Sequence, residues 1–355
     1  MNDRAGVDAA RALLSRAIES RLAPAAVAEL GDSSGMLWRE AFGRLTFDAA
    51  AAATTPETIF DLASLTKPLA TTSIALALVD AGMLDLREPV ATFFGEWRGE
   101  DREQATIRDL LEHSAGLAAR LLDAPPEKRR EFEHDICTMP LEYAPRVKSI
   151  YSDLGFILLG FALEERGHRP LNAQFDAIVP DLQDEWLAFG VPQGETGPIA
   201  PTIPMNEDVR RGRVLVGEVH DNYAAALGGV AGHAGLFGTA GGVGICARAL
   251  LRAARGDSAL RAPFSPPLIE QAVAKSSVPG SSRALGWDTM LATSSCGTRM
   301  TASAFGHVGF TGTSLWIDPE RDRYFVLLTN RVCGGGTIEE MREVRRAFHD
   351  ALAEA

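Results

Sequence analysis

Strand-like patterning clusters at the two ends of this chain, while the long middle reads as helix and loop. Near the start, residues 25–30 and 36–42 flank Asp32-Ser33-Ser34-Gly35, the signature of a β-hairpin. Near the end, residues 284–290, 304–310, 314–317 and 324–329 read as strands, the last two joined by a turn over 318–322. Strands so far apart in sequence have to meet in one sheet to bury their apolar faces. The expected fold is therefore α/β in the α+β sense: an antiparallel sheet from both termini, flanked by helices, with a mainly helical insertion. Residues 1–75 and 225–355 would form the sheet domain and residues 76–224 the insertion.

The helices follow from periodicity. Val7, Ala10, Leu14, Ile18 and Leu22 lie on one stripe of an amphipathic N-terminal helix. Residues 69–79 are too long an apolar run for an ordinary strand and stop before Gly82, which predicts a buried helix. Pro68 fits only in its first turn, so Ser64 and Lys67 stand at the helix entrance. Thr106 with Asp109, and Ser152 before Leu154, Ile157, Leu158 and Phe161, mark two further helix starts. A last amphipathic helix is expected over 337–352. Four prolines and two glycines in 192–204 predict an irregular segment or lid, and the Gly-rich run 227–244 predicts tight turns and close backbone approach.

At 355 residues the chain can bury a large core and still form a water-excluding cleft. The net charge of −12 argues against nucleic acid or an anionic membrane as the main partner. No apolar stretch is long enough to span a bilayer and no basic-then-apolar leader opens the chain, so a cytoplasmic location is expected. Four widely spaced cysteines, Cys137, Cys246, Cys296 and Cys333, read as reduced thiols.

The chemistry is carried by Ser64-Leu65-Thr66-Lys67, which places a hydroxyl and an amine on one face of a helical turn. A neutral lysine there would take the serine proton and so activate a weak nucleophile. The motif is short: 19 serines and four lysines make roughly 0.2 accidental matches expected. Two further groups add weight, Tyr151-Ser152-Asp153 before a helix and His307-Val308-Gly309 at the end of a strand, running into Phe310-Thr311-Gly312-Thr313.

These three groups, in this order and spacing, resemble the serine β-lactamase and penicillin-binding protein superfamily, most closely its class C β-lactamase and esterase branch. FDLASLTKPLATT, LLEHSAGL, LGGVAGHAGLF and GFTGTSLWIDPERDRYFVLLTNRV are similar to segments of that family, and the resemblance runs from about Ala25 to Val332. It implies a β-lactamase/transpeptidase-like fold and a serine hydrolase that forms an acyl-enzyme on Ser64. It further implies that Lys67 accepts or relays the proton. Tyr151 would serve as base or hydrogen-bonding partner, its pKa lowered by the lysine. Backbone N–H groups of Ser64 and Phe310 would form an oxyanion hole, and Asp153, His307, Gly309 and Phe310 would meet the substrate.

Asp153 stands where the class C pattern has asparagine, and His307 where many relatives have lysine. An ionised aspartate only accepts hydrogen bonds, and a histidine lacks a permanent charge for a substrate carboxylate. Both changes favour an esterase, amidase or D-peptidase over an efficient β-lactamase. A catalytically weak penicillin- or peptidoglycan-binding module is the alternative. The expected partner is a small ester, amide or peptide.

No cofactor is expected: the Gly-rich run lacks GxGxxG and a P-loop lysine. The one GxSxG match, Gly31-Asp32-Ser33-Ser34-Gly35, falls in the expected β-hairpin turn and not between a strand and a helix, so an α/β-hydrolase fold is not expected. His220-Asp221 and His233 raise a metal-dependent hydrolase, but their spacing matches no zinc motif, so no metal is expected. His113 is expected to buttress the cleft, and Arg210, Arg211 and Arg213 to be a solvated charge run.

Overall fold

The computed structural model describes residues 2–99, 101–121, 125–192, 194 and 197–353. Met1 at the chain start, and residues 193, 195 and 196 within the expected irregular segment, lie outside the described residues. Helix α1 (Asn2–Glu19) leads into the hairpin β1 (Ala25–Gly31) and β2 (Met36–Gly43), followed by the short β3 (Phe60–Asp61). Then come α2 (Ser73–Asp80), α3 (Ile107–Leu111), α4 (Arg129–Thr138), α5 (Asp153–Gly167), α6 (Leu171–Asp176), β4 (Leu187–Phe189) and α7 (Asn222–Ala226). The chain closes with β5 (Leu236–Gly238), α8 (Ala240–Ala254), α9 (Pro266–Val273), β6 (Asp288–Thr289), β7 (Phe305–Val308), β8 (Ser314–Asp318), β9 (Arg323–Thr329) and α10 (Ile338–Ala353).

The main sheet has the order β2-β1-β9-β8-β7-β6, every neighbouring pair antiparallel, and so is drawn from both ends of the chain as expected. Central strands are buried on both faces, and the period of two sorts their side chains between two cores. Ala26, Ala28, Leu30, Trp316, Phe325 and Leu327 pack under α1 and α10, against Ala10, Leu14, Phe348 and Leu352. Val27, Leu315, Ile317, Val326 and Leu328 face the larger core shared with α2, α5 and α8.

Several elements differ from the sequence reading. The strand expected over 284–290 shrinks to β6, because Gly286 takes a left-handed φ of +70° and Ala284 closes a tight turn onto the Trp287 carbonyl. The strand expected to reach residue 310 stops at Val308, where Gly309 N–H turns back onto the Thr313 carbonyl. The apolar run after Lys67 begins as a wide π-helical turn, Lys67–Thr72, with Pro68 in its first turn, before α2 proper. The Gly-rich run is only half turns: it also supplies β5 and the start of α8. Strand β4, in the stretch expected to be helical, pairs with β5, which also pairs with β3, in a second sheet.

Two glycines decide how closely the middle approaches the site. Gly232 lies against Gly160 of α5, and a Cβ on Gly232 would fall 2.0 Å from the Phe156 carbonyl oxygen. The contact is sealed by the Thr71 hydroxyl donating to the Gly232 carbonyl at 2.6 Å. Gly232→Ala should therefore destabilise the fold by about 1–3 kcal/mol through overpacking, read as a lower urea midpoint at constant m-value.

Candidate active site

The turn carrying Ser64 is held from several sides. Ala63, immediately before it, has φ +48°, a left-handed conformation that a non-glycine residue adopts only where its surroundings impose it. The surroundings are explicit: Asp61 Oδ1 accepts the Ala63 N–H at 2.8 Å, and the Thr66 hydroxyl donates to the Ala63 carbonyl at 2.6 Å. Thr311 and Thr313 donate to the carbonyls of Asp61 and Leu62 at 2.8 and 3.0 Å, joining this turn to the segment after β7. Gly309 is required there, since a Cβ would lie 2.1 Å from Thr313 Oγ1 and 2.5 Å from the Leu62 carbonyl oxygen.

Tyr151 and Asp153 reach the same place from the start of α5. Ser152 caps that helix, accepting from Gly155 N–H at 3.3 Å and donating to the Ala118 carbonyl at 2.6 Å. Its own N–H donates to His113 Nδ1 at 3.0 Å, and the His113 ring lies 4.7 Å from that of Tyr151, between centroids. His113 thus buttresses the cleft.

The structure brings together the residues expected from sequence. Lys67 Nζ donates to Ser64 Oγ at 3.0 Å, Tyr151 OH at 2.6 Å, Asp153 Oδ1 at 2.8 Å and the His233 carbonyl at 3.2 Å. Tyr151 OH donates to Ser64 Oγ at 2.7 Å, closing a triangle. Ser64, Tyr151, His307, Gly309 and Phe310 line one cavity of about 460 Å³. His307 is buried on β7 with its Nδ1 2.9 Å from the Val308 carbonyl oxygen, so Nδ1 carries the proton and Nε2 is a free acceptor.

The electrostatics correct two expectations. Burial disfavours the Lys67 ammonium, but Asp153 and Tyr151 outweigh it and hold the pKa above the usual lysine value. The resting amine is therefore charged, where a neutral one was expected. Burial likewise raises the Tyr151 phenol, and the lysine beside it does not reverse this, so the expected lowering is absent. Asp153 resists burial through Lys67 and sits below the ordinary carboxylate range. Both its oxygens are engaged, Oδ1 with Lys67 and Oδ2 with Arg120 at 2.9 Å, and the residue also lines the cavity, where a substrate contact is expected.

Other residues were not found from sequence. Arg120 links Asp153 to Asp221 at 2.9 Å and to Asn222 at 2.6 Å. Arg283 lies with its guanidinium 5.2 Å from the Tyr151 ring centroid and lines the cavity. Arg345 of α10 donates to the carbonyls of Gly309 and Thr313 at 2.6 and 2.9 Å, and Arg331 to that of Phe310 at 2.6 Å. No local pattern marks these arginines, because each acts through a partner distant in sequence. His220 and His233 turn to different partners, the Ile203 carbonyl at 3.1 Å and Asp221 at 2.7 Å. Among the described residues no group of three or more His, Cys, Asp or Glu side chains is arranged to hold a metal ion. Arg213 pairs with Glu218 at the surface as expected of a solvated charge, but Arg210 departs from that reading: it is largely buried, pairs with Asp208 and donates to the carbonyl of His220, which lines the cavity.

A fold and a site of this kind have relatives. The family model described as Beta-lactamase matches residues 12–348, and the chain belongs to that family of serine hydrolases. Among curated proteins, the N-acetylmuramyl-L-alanine amidase of Bacillus subtilis is 29% identical over 310 residues, covering 77% of this chain and 68% of the relative. A putative D-alanyl-D-alanine carboxypeptidase of Escherichia coli is 29% identical over 314 residues, covering 78% and 70%. Among solved structures, EstCE1, a hydrolase with promiscuous acyltransferase activity, superposes with a TM-score of 0.78 at 18% identity, covering 99% of both chains. Simvastatin synthase from Aspergillus terreus superposes with a TM-score of 0.75 at 20% identity, covering 98% and 95%. These neighbours share the fold, a β-lactamase/transpeptidase-like arrangement.

Burial, then the charges of Arg283 and Lys67, hold both His113 and His307 well below the usual histidine pKa. Both rings are neutral in the fold and become protonatable on unfolding. The unfolded chain thus binds more protons below pH ~6.5, and stability should fall as pH drops through that value. His307→Gln should flatten the slope between pH 6.5 and 5 by up to about 1.4 kcal/mol per pH unit, measured by urea denaturation at each pH.

Proposed function

We propose that the protein hydrolyses esters, amides or short peptides through an acyl-enzyme on Ser64. The observation that carries this is the triangle of Ser64 Oγ, Lys67 Nζ and Tyr151 OH, with sides of 2.6 to 3.0 Å, at the wall of the cavity. The Oγ–acyl bond forms as the hydroxyl proton passes to the Lys67–Tyr151 pair, once that pair has lost one proton to solvent. The bond to the leaving group then breaks, and the leaving group takes that proton. Water repeats the cycle on the ester, releasing the acid and returning the proton to Ser64.

The oxyanion hole belongs to the same proposal. The Gly309 carbonyl accepts from Arg345, so the N–H of Phe310, trans across the same planar peptide, is directed the other way. With Ser64 N–H it would meet the charge of the tetrahedral intermediate. His307 Nε2 would accept a hydrogen bond from a substrate donor such as an amide N–H.

The substrate class follows from Arg283. Among the described residues its guanidinium makes no ion pair and no side-chain hydrogen bond, and it faces the cavity beside Tyr151. It supplies a permanent cation that His307 does not, and suits a substrate bearing a carboxylate, as the carboxypeptidase relatives' name implies of theirs. A cytoplasmic location and the two-part division, residues 1–75 with 225–355 and residues 76–224, complete the reading. They are supported by four free, buried cysteines and by a main sheet built from residues 25–43 and 288–329. No described helix is long and apolar enough to cross a membrane.

Ser64→Ala should abolish fluorophosphonate labelling and cut p-nitrophenyl acetate turnover roughly a thousandfold or more. A labelled serine elsewhere, or a stable adduct without product release, would overturn the hydrolase. Arg283→Gln should lower kcat/KM for p-nitrophenyl hemisuccinate roughly tenfold relative to p-nitrophenyl butyrate. An unchanged ratio removes the carboxylate anchor.

A further inference from the structure

Lys67 belongs to a closed circuit. Its Nζ donates to Asp153 Oδ1, whose Oδ2 accepts from Arg120; Arg120 also donates to Asp221 Oδ2. Asp221 Oδ1 is 2.7 Å from His233 Nε2, and the His233 carbonyl accepts from Lys67 at 3.2 Å. Arg120 is further fixed by Asn222 at 2.6 Å and by the Tyr223 ring, whose centroid is 4.0 Å from the guanidinium carbon. It therefore presents a fixed positive charge to the far side of Asp153.

We propose that Arg120, held in place by Asp221, is a positioning residue of the reaction: it takes up one oxygen of Asp153 and so sets how firmly the other oxygen keeps the proton on Lys67. The inference rests on the Ser64 hydrolase reading for its effect on rate. An aspartate beside the lysine, left alone, favours the ammonium and opposes its use as a proton acceptor. Arg120 counters that charge. Arg120 thus offsets part of the charge by which Asp153 differs from a neutral amide, while Asp153 still holds the proton on Lys67.

The groups facing Lys67 come from every neighbouring element. Tyr151 and Asp153 precede or begin α5, His113 follows α3, and His307 lies on β7. His233 stands before β5; Arg283 precedes β6, Asp221 caps α7, and Arg120 follows α3. The carboxylates of Asp153 and Asp221 favour a proton on Lys67, and the positive charges of Arg120 and Arg283 disfavour it. His113 and His307 stay neutral around pH 7.

The chain has only four lysines, Lys67, Lys128, Lys148 and Lys275, so the Cε signal of Lys67 can be followed by 13C-lysine NMR and assigned by its loss in Lys67→Arg. Asp153→Asn should move the Lys67 titration down by about one pH unit or more, and Arg120→Gln should move it up by about one. Arg120→Lys should stay nearer wild type. The ascending limb of kcat/KM for p-nitrophenyl acetate should move in the same opposite directions. A merely structural role would lower activity in both variants without opposed shifts. If Arg120→Gln does not fold, Asp221→Asn, which frees Arg120 for Asp153, should move the titration down. Lys67 titrations that stay put, or move the same way in Asp153→Asn and Arg120→Gln, overturn the inference. Opposed NMR shifts in a protein that fails to turn over esters or label at Ser64 would sustain it and sink the hydrolase reading.

Discussion

A fully buried ammonium governs this structure. Lys67 is 0% exposed, and an unpaired charge so placed would cost many kcal/mol. It is tolerated because four acceptors converge on Nζ from three directions: the turn at Ser64, the segment before α5, and the loop before β5. Each feature that positions those acceptors becomes necessary to the fold as well as to the site. The Gly160–Gly232 contact brings the His233 carbonyl within reach, and the cap at Ser152 sets Tyr151 and Asp153 in register. Stability and chemistry are thereby tied to one residue, so a change that frees Lys67 for catalysis also loosens the packing of three elements.

The second constraint is the join between the chain ends. The Ser64 turn is strained at Ala63 and is held by Thr311 and Thr313, roughly two hundred and fifty residues later. Those threonines are in turn fixed by the sheet and by α10, through Arg345 on the Gly309 and Thr313 carbonyls. The turn at Ser64, in the first fifth of the chain, thus depends on a C-terminal helix. The local strain persists because surroundings contributed by both ends over-determine it.

Much of this was legible in the sequence. The Ser64–Lys67 spacing, the proline in the first turn and the two-ended strand pattern all rest on local chemistry that periodicity and capping rules detect. Tyr151, Asp153 and His307 became legible through their resemblance to a family pattern. What stayed hidden was the outer layer. Arg120, Arg283 and Arg345 have no spacing of their own, since each is defined by a partner that only the folded chain brings near. The charge states were hidden for the same reason. Whether Lys67 is neutral depends on the contest between burial and Asp153, and a sequence reports neither depth nor distance.

That contest also changes what the two departures from the family pattern mean. Read as isolated substitutions, Asp153 and His307 both subtract from the recognition of an anionic substrate. In the folded site neither acts alone. Asp153 spends its charge on Lys67 and Arg120, leaving little negative potential for the cavity. His307 is neutral, with an acceptor nitrogen free, while Arg283 stands nearby with no counter-ion among the described residues. The cavity therefore keeps a permanent cation without an ion-pair partner among the described residues, Arg283 in the segment before β6. Phe310, Ile338 and Met341 add apolar lining to the same cavity beside the carboxylates of Glu207, Asp221 and Asp288, and in the proposed reading a substrate carboxylate would meet Arg283. In that reading the two departures redistribute charge around the triangle of Ser64, Lys67 and Tyr151, and a substrate would be selected by where that charge lies.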